Sequence, residues 1–398
     1  MYNRRLVFTA ACLGMLIFGV VLTTLGAILP SLIERFGLDK ASAGSLFLLM
    51  SSGILAGSLL FGPAVDRYGY KGLLLASLLL VLLGLEGIAF AGSLGVLRLA
   101  IFAVGLGGGV INGGTNALVS DVSEEGRSAG LSLLGIFFGV GAVGVPFSLG
   151  VLLDVFSYGA LVAAAGLTVL VPLALTAAIG FPTPKQAQGL PPGSAARLLG
   201  DRALILFGLL LFLQSGMEIT VGGWAATYFQ EHLALTGNRA LFFLSLFWFG
   251  MMLARLVLGG VLRRAAPAAA LRGAIGIACV GALLLLASTQ LALAALGIFL
   301  IGAGLAAGFP VVLGFVGDRY AALSGTAFSI VLTMGLIGGS LLPWTTGVLG
   351  QAYGLRSSLL LVPVALALQL VLLAIVLRQR GALPAAAPAG VAGVEINP

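Results

Sequence analysis

The chain has 398 residues, 60% of them hydrophobic and 8% charged, with a mean hydropathy of +1.17. A water-soluble protein of this length carries about 25% charged residues, so a soluble multidomain protein is excluded. The net charge of +7 comes from Lys and Arg scattered singly among short loops, which excludes a nucleic-acid surface and fits the basic loops of one membrane face.

Apolar runs long enough to cross a bilayer recur almost end to end, about 20 residues being needed for each. Lipid offers the backbone no partners, so a spanning chain is helical or a closed barrel. Runs such as 72–91 are continuously apolar rather than alternating, so the fold class is all-α transmembrane. Arg4 and Arg5 open the first run, which reaches Ile33. That is too long for a signal-peptide core, so a retained first span is expected. Breaks at charged and Pro/Gly clusters then predict spans at 5–34, 41–66, 71–91, 93–120, 127–154 and 157–181. After an interruption come 202–231, 239–263, 268–288, 290–317, 322–352 and 355–378. The organisation is an N-terminal six-helix bundle (1–181), a Pro/Ala/Gly-rich linker (182–201), a C-terminal six-helix bundle (202–380) and an Ala/Pro/Gly-rich tail (381–398) expected to be disordered.

Placing the N-terminus inside puts fourteen Lys and Arg residues on that side and five (Arg35, Lys40, Arg98, Arg239, Arg356) on the other. Both termini are therefore expected to be cytoplasmic. The composition points to a bacterial inner membrane. A shift of 197 residues superposes landmarks of the two halves. Gly105 falls on Gly302, Gly107 on Gly304, Asp121 on Asp318, and Pro146-x-x-x-Gly150-Val-Leu on Pro343-x-x-x-Gly347-Val-Leu. Two halves in one orientation imply a pseudo-two-fold axis along the membrane normal, with a substrate site between them near the midplane.

The string Gly62-Pro-Ala-Val-Asp66-Arg67-Tyr-Gly69-Tyr-Lys71 lies in the turn between the second and third spans. It resembles the loop signature of the major facilitator superfamily, with a weaker second copy at Arg255-x-x-x-Gly259-Gly260-x-x-Arg263-Arg264. The resemblance implies the twelve-helix, two-bundle major facilitator fold over residues 4–380. It also implies a gating role for Asp66, Arg67 and Lys71. Arg255, about two turns from the end of its span, is expected to snorkel or make a gate contact. Gly105–Gly109 through Asn112 and Asn116, Leu131 through Gly141 to Pro146, and Ser215-Gly216-Met-Glu218 through Trp224 resemble the fucose and glucose/galactose permease branch. The acids associated with coupling in the first and fourth helices of that branch are absent here, where Thr23, Thr24, Asn112 and Asn116 stand.

Glu218 is then the candidate proton-coupling group. It lies mid-span, where an ionisable side chain is costly and marks function by default. The candidate substrate lining is Thr23, Asn112, Asn116, Gln214, Glu218, Trp224, Trp248 and Phe138. Gln214 and Glu218, like Asn112 and Asn116, are four apart and share a helix face. The asparagines suit sugar hydroxyls or interhelical hydrogen bonds equally. The tryptophans fit sugar stacking as well as an interfacial belt. Glu86 and Arg98 flank one turn and are read as a structural ion pair. Cys12 and Cys279 lie within spans as apolar fillers, and His232 stands alone, so no metal site and no cofactor are expected. No phosphate-binding Gly-Lys-Ser/Thr loop occurs, which excludes ATP-driven transport by this chain alone. Nothing pairs a nucleophile with a base, so an enzyme is not expected.

The reading is a secondary transporter, taken to act as a monomer among membrane lipid. Its expected partners are a small neutral solute, a monosaccharide, and a proton. Sodium coupling remains an alternative. So does proton-driven efflux of amphipathic compounds, against which Gly144-Val-Pro146 breaks the Gly-Pro spacing of the antiporter signature.

Overall fold

The computed structural model describes residues 2–122, 127–183, 198–320 and 324–381. Most of the predicted linker and nearly all of the tail lie outside these residues. Among the described residues, twelve helices are long and apolar enough to cross a membrane. They are α1 (Arg4–Phe36), α2 (Lys40–Gly62), α3 (Arg67–Ala89), α4 (Leu94–Val122), α5 (Gly130–Leu152) and α6 (Tyr158–Ala178). The second set is α7 (Arg202–Leu233), α8 (Gly237–Leu262), α9 (Pro267–Ala287), α10 (Leu291–Arg319), α11 (Thr326–Tyr353) and α12 (Leu355–Arg378). An even number of crossings puts Arg4 and Arg378 at the same end, here called the terminus-bearing end.

Helix ends follow local chemistry. Asn3, Asp39 and Asp201 cap α1, α2 and α7 by accepting from first-turn N–H groups. Gly69, near the start of α3, kinks the run Lys40–Ala89 with φ 70° and ψ 172°, a conformation that favours glycine. The sequence predicts uninterrupted spans, but three are broken: α6 at Val169, α10 at Ala306–Ala307 and α12 at Leu359–Leu360. Each break lies just before a proline: Pro172, Pro310 and Pro363. Proline has no N–H for the carbonyl four residues earlier and its ring crowds that carbonyl.

The 197-residue repeat reappears as packing. Gly105 lies on the Met50 carbonyl and Gly302 on the Phe247 carbonyl. Gly53 lies on Phe102 and Gly250 on Phe299, while Gly107 lies on Ser77 and Gly304 on Ala274. Each second contact is the first shifted by 197 residues on both partners. Without β-carbons the helix backbones approach closely, which holds helices together where lipid provides no hydrophobic drive.

The halves join toward the end opposite the termini. There Gly26 of α1 meets Gly222 and Gly223 of α7, and Gly44 of α2 meets Trp344 and Gly347 of α11. Gly150 of α5 meets Asn238 and Phe242 of α8. Lys40 Nζ pairs with Glu231 Oε2 at 3.1 Å, and its backbone N–H donates to Gln351 Oε1 at 3.0 Å. At the terminus-bearing end, β-carbons added at Gly62, Gly135 and Gly259 would meet nothing within 4 Å. The contacts between the halves thus run from the end opposite the termini inward to Gly139 of α5, which lies on Met252 of α8.

Gly26→Val would push α1 from α7 and loosen the end opposite the termini. In a background lacking Cys12 and Cys279, a cysteine replacing Phe47, now buried against Gly223, is expected to react several-fold faster with an impermeant maleimide when Gly26→Val is present. Equal rates would mean that the glycine contact does not hold that end closed.

Candidate functional site

The midplane site is built on α7, α8 and α5. Glu218 lies about 24 Å along α7 from Arg202, at 1.5 Å per residue. Its side chain is 6% exposed, and Oε2 has no hydrogen-bond partner. Helix α8 runs antiparallel to α7 and brings Arg255 to the same depth. Arg255 Nη2 stands 3.9 Å from Glu218 Oε1, and its side chain is 28% exposed. The guanidinium also lies over the Phe138 ring of α5, 5.5 Å from the centroid. Phe138 packs edge-on to Trp248 at 6.1 Å and against Phe18 of α1 at 5.8 Å. Trp248 lies over Gly222, with its Nε1 buried and unpaired. Arg255 and Phe138 thus touch across the two halves.

This arrangement has defined chemical capacity. A carboxyl group shielded from water but beside a guanidinium can exchange a proton for an ion-pair contact. Arg255 retains donors for a ligand oxygen, while Phe138 and Trp248 offer ring faces and Trp248 one N–H. Asn112 and Asn116 sit on α4 between the faces packed on α1 (Gly108, Thr115) and α2 (Gly105, Gly109). Both are partly exposed. Asn116 Nδ2 donates to the Asn112 carbonyl at 2.8 Å and to Asn112 Oδ1 at 3.2 Å, leaving the Asn112 amide nitrogen free of these bonds.

Three predicted lining residues are engaged in packing instead. Thr23 is buried and its hydroxyl donates to the Gly19 carbonyl. Trp224 is fully buried, with Nε1 donating to the Pro343 carbonyl at 2.9 Å. Gln214 Nε2 donates to the Leu305 carbonyl at 2.7 Å, at the break in α10. The predicted Glu86–Arg98 ion pair is not formed. Glu86 is directed at Gly166 of α6, where the absent β-carbon leaves room, and Arg98 is exposed. Two residues from opposite ends of a turn share depth but not direction. The loop expected to gate is tied down within the first half: Lys71 Nζ donates to the Ala177 and Ile179 carbonyls at 2.7 and 2.9 Å, and Tyr70 donates to Asp121 Oδ2 at 2.7 Å. Arg67 is exposed and lies over Tyr68, and the Asp66 side chain lies outside the described ones.

Gln369 of α12 escapes the sequence reading. It is fully buried and donates from Nε2 to Gln214 Oε1 at 3.1 Å. Its signal was available: an amide in the middle of the apolar run Leu366–Leu373. Among the described residues no group of three or more His, Cys, Asp or Glu comes together as a metal site.

Comparison with known proteins agrees with this architecture. The family model described as Major Facilitator Superfamily matches residues 11–343. The 4-hydroxybenzoate transporter PcaK of Pseudomonas aeruginosa is 34% identical over 123 residues, 30% of this chain and 27% of that one. The matches cover 56% and 27% of the first two curated relatives' lengths. The solved structure of a point mutant of the nucleoside transporter NupG superposes with a TM-score of 0.78 at 15% identity, covering 94% of this chain and 99% of the other. A D-xylose–proton symporter superposes at 0.77 and 17% identity, covering 92% and 96%. At these identities the structural likeness concerns the fold.

Arg255→Met would strand the Glu218 carboxylate. Removing one partner of a buried pair costs about 3–5 kcal/mol, and the exposure of Arg255 reduces that to about 1–2 kcal/mol through solvent screening. Thermal unfolding should show a lowered Tm that the double variant Arg255→Met/Glu218→Gln largely restores. A double variant no more stable than the single would mean that the pair is not coupled.

Proposed function

The chain belongs to the Major Facilitator Superfamily, and on that premise we propose that it is a proton-coupled secondary transporter taking up a small neutral, polyhydroxylated solute, a monosaccharide in size. The observation that carries this reading is the Glu218–Arg255 pair at the point where the halves touch. A proton on Glu218 frees the guanidinium to donate to solute hydroxyls. Loss of the proton re-forms the pair and competes the solute away. The pair sums to no net charge, which suits a neutral solute, while Phe138, Trp248 and the Asn112 amide supply stacking surface and further polar contacts. With the basic loops inside, this reading puts the terminus-bearing end at the cytoplasm of a bacterial cell. Lys40–Glu231 then closes the outside. Asp66, Arg67 and Lys71 take up their gating role on the inner side when the halves rock together.

One observation favours a second substrate class. Arg255 over Phe138, with Trp248 beside it, also suits an aromatic monocarboxylate, and the matched relative PcaK is named for one. In that reading the carboxylate takes the guanidinium while Glu218 holds the proton.

Proteoliposomes under an imposed inward proton gradient decide between them, using a panel of labelled monosaccharides and 4-hydroxybenzoate with wild type and Glu218→Gln. Wild type is expected to accumulate one monosaccharide uphill, and Glu218→Gln to accumulate it at least about tenfold less while still exchanging it down its own gradient. Accumulation of 4-hydroxybenzoate in place of any sugar would transfer the assignment to the second class. Uphill uptake unchanged in the variant would remove Glu218 from coupling.

A further inference from the structure

Two glutamines buried beside Glu218 are unexplained by substrate contact. Gln214 is 1% exposed and Gln369 is 0% exposed. A primary amide is costly to bury unless its groups are bonded, and these two are bonded chiefly to each other and to a defect. Gln369 Nε2 of α12 donates to Gln214 Oε1 of α7, and Gln214 Nε2 donates to the Leu305 carbonyl of α10. Leu305 is the last residue before the α10 break at Ala306–Ala307. Gly308, the first residue beyond the break, makes this seat possible, because a β-carbon there would collide with the Gln214 carboxamide. The amides therefore occupy the joint between the two segments of α10, Leu291–Leu305 and Gly308–Arg319.

The same amide lies one turn from Glu218, on the same face and within hydrogen-bonding reach. An ionised carboxylate is acceptor-only, whereas a protonated one also donates. Gln214 Oε1 is the amide acceptor one turn away, and it already accepts from Gln369, whose own Oε1 is unpaired. Protonation thus changes what Glu218 asks of Gln214, and Gln214 is what holds the α10 joint. Among the described residues, the charged group facing Glu218 is Arg255 from α8. Helix α12 brings the neutral Gln369, and α1, α10 and α11 bring no titratable side chain to that depth.

We propose that Gln214 and Gln369 are positioning residues that tie the proton on Glu218 to the angle of α10 at its break, so that coupling acts on the helix leading to the terminus-bearing end. This builds on the proton-coupling role of Glu218, but its test requires no substrate. Hydrogen exchange of the backbone amides at 305–311 is compared at about pH 5.5 and about pH 8 in nanodiscs, corrected for the intrinsic pH dependence of exchange. Wild type is expected to differ by about threefold or more between the two conditions in this segment, with α4 amides at 105–109 as the unresponsive reference. Glu218→Gln should abolish the difference. Gln369→Leu should also abolish it while leaving Glu218 and Arg255 in place, and Gly308→Ala should do the same by displacing Gln214. If Gln369→Leu fails to elute as a folded monodisperse protein, Gly308→Ala decides. A response kept in the folded amide variants, or no response in wild type, overturns the proposal. Failure of gradient-driven uptake would instead count against the transport reading and leave the exchange result standing.

Discussion

Backbone contact at glycines is the constraint on which the molecule depends. Where α1 crosses α7, and α2 crosses α11, any β-carbon at Gly26 or Gly347 would fall on the backbone of the opposite half. Helices that approach this closely gain dispersion contacts along their length, and between the halves the backbone-to-backbone approaches at Gly26 and Gly347 fall at the end opposite the termini. With that end closed, the halves can diverge only toward the termini. The Arg255–Phe138 contact also spans the halves, and the Glu218 carboxyl lies at that level. A charge there sits where the two halves touch through Arg255 and Phe138.

The antiparallel course of α7 and α8 explains how the pair arises. Glu218 is 15 residues before the end of α7 and Arg255 is 18 residues after the start of α8. Their separation in sequence conceals almost equal depth, the difference being about one helical turn, which a long arginine side chain spans. Sequence alone places Arg255 in the inner part of its span and suggests snorkelling toward water. The structure turns it inward because an otherwise unpaired carboxyl lies within reach.

Much of the fold was legible from hydropathy, since long apolar runs in lipid permit few architectures. The internal repeat was also legible, and the shared 197-residue offset of the Gly105–Met50 and Gly302–Phe247 contacts gives it a structural cause. The helix breaks follow from Pro172, Pro310 and Pro363, although proline alone does not separate a break from a tolerated kink: Pro30, Pro146 and Pro343 lie within continuous helices. The lining was less legible. Sequence supplies the phase of a residue on its own helix but not the identity of the helix that phase faces. Trp224 and Thr23 have the right type and depth, yet they face neighbouring backbone. Glu86 faces Gly166, a partner no local spacing announces.

The repeat offers a way to separate scaffold from site. Subtracting 197 from Gly250, Gly302 and Gly304 returns Gly53, Gly105 and Gly107, which pack in the same way in the first half, whereas Gly222 and Gly308 return Leu25 and Ile111. Subtracting it from 218, 255, 214 and 369 returns 21, 58, 17 and 172, which are Val21, Ser58, Ile17 and Pro172. The duplicated architecture thus has no counterpart for these four polar side chains. Packing requires similar small residues in both halves, because both solve the same problem of close helix approach. Burying an acid, a base and two amides solves no packing problem, since the first half reaches the same architecture with apolar, hydroxyl or imino side chains at those positions. Such groups carry a desolvation cost, and here that cost falls on one half alone. Asymmetric expense on a symmetric frame is the mark of chemistry imposed on a scaffold. Under the proposed function it makes the second half the seat of coupling, with the first half contributing Phe138 and the α4 asparagines as the facing wall.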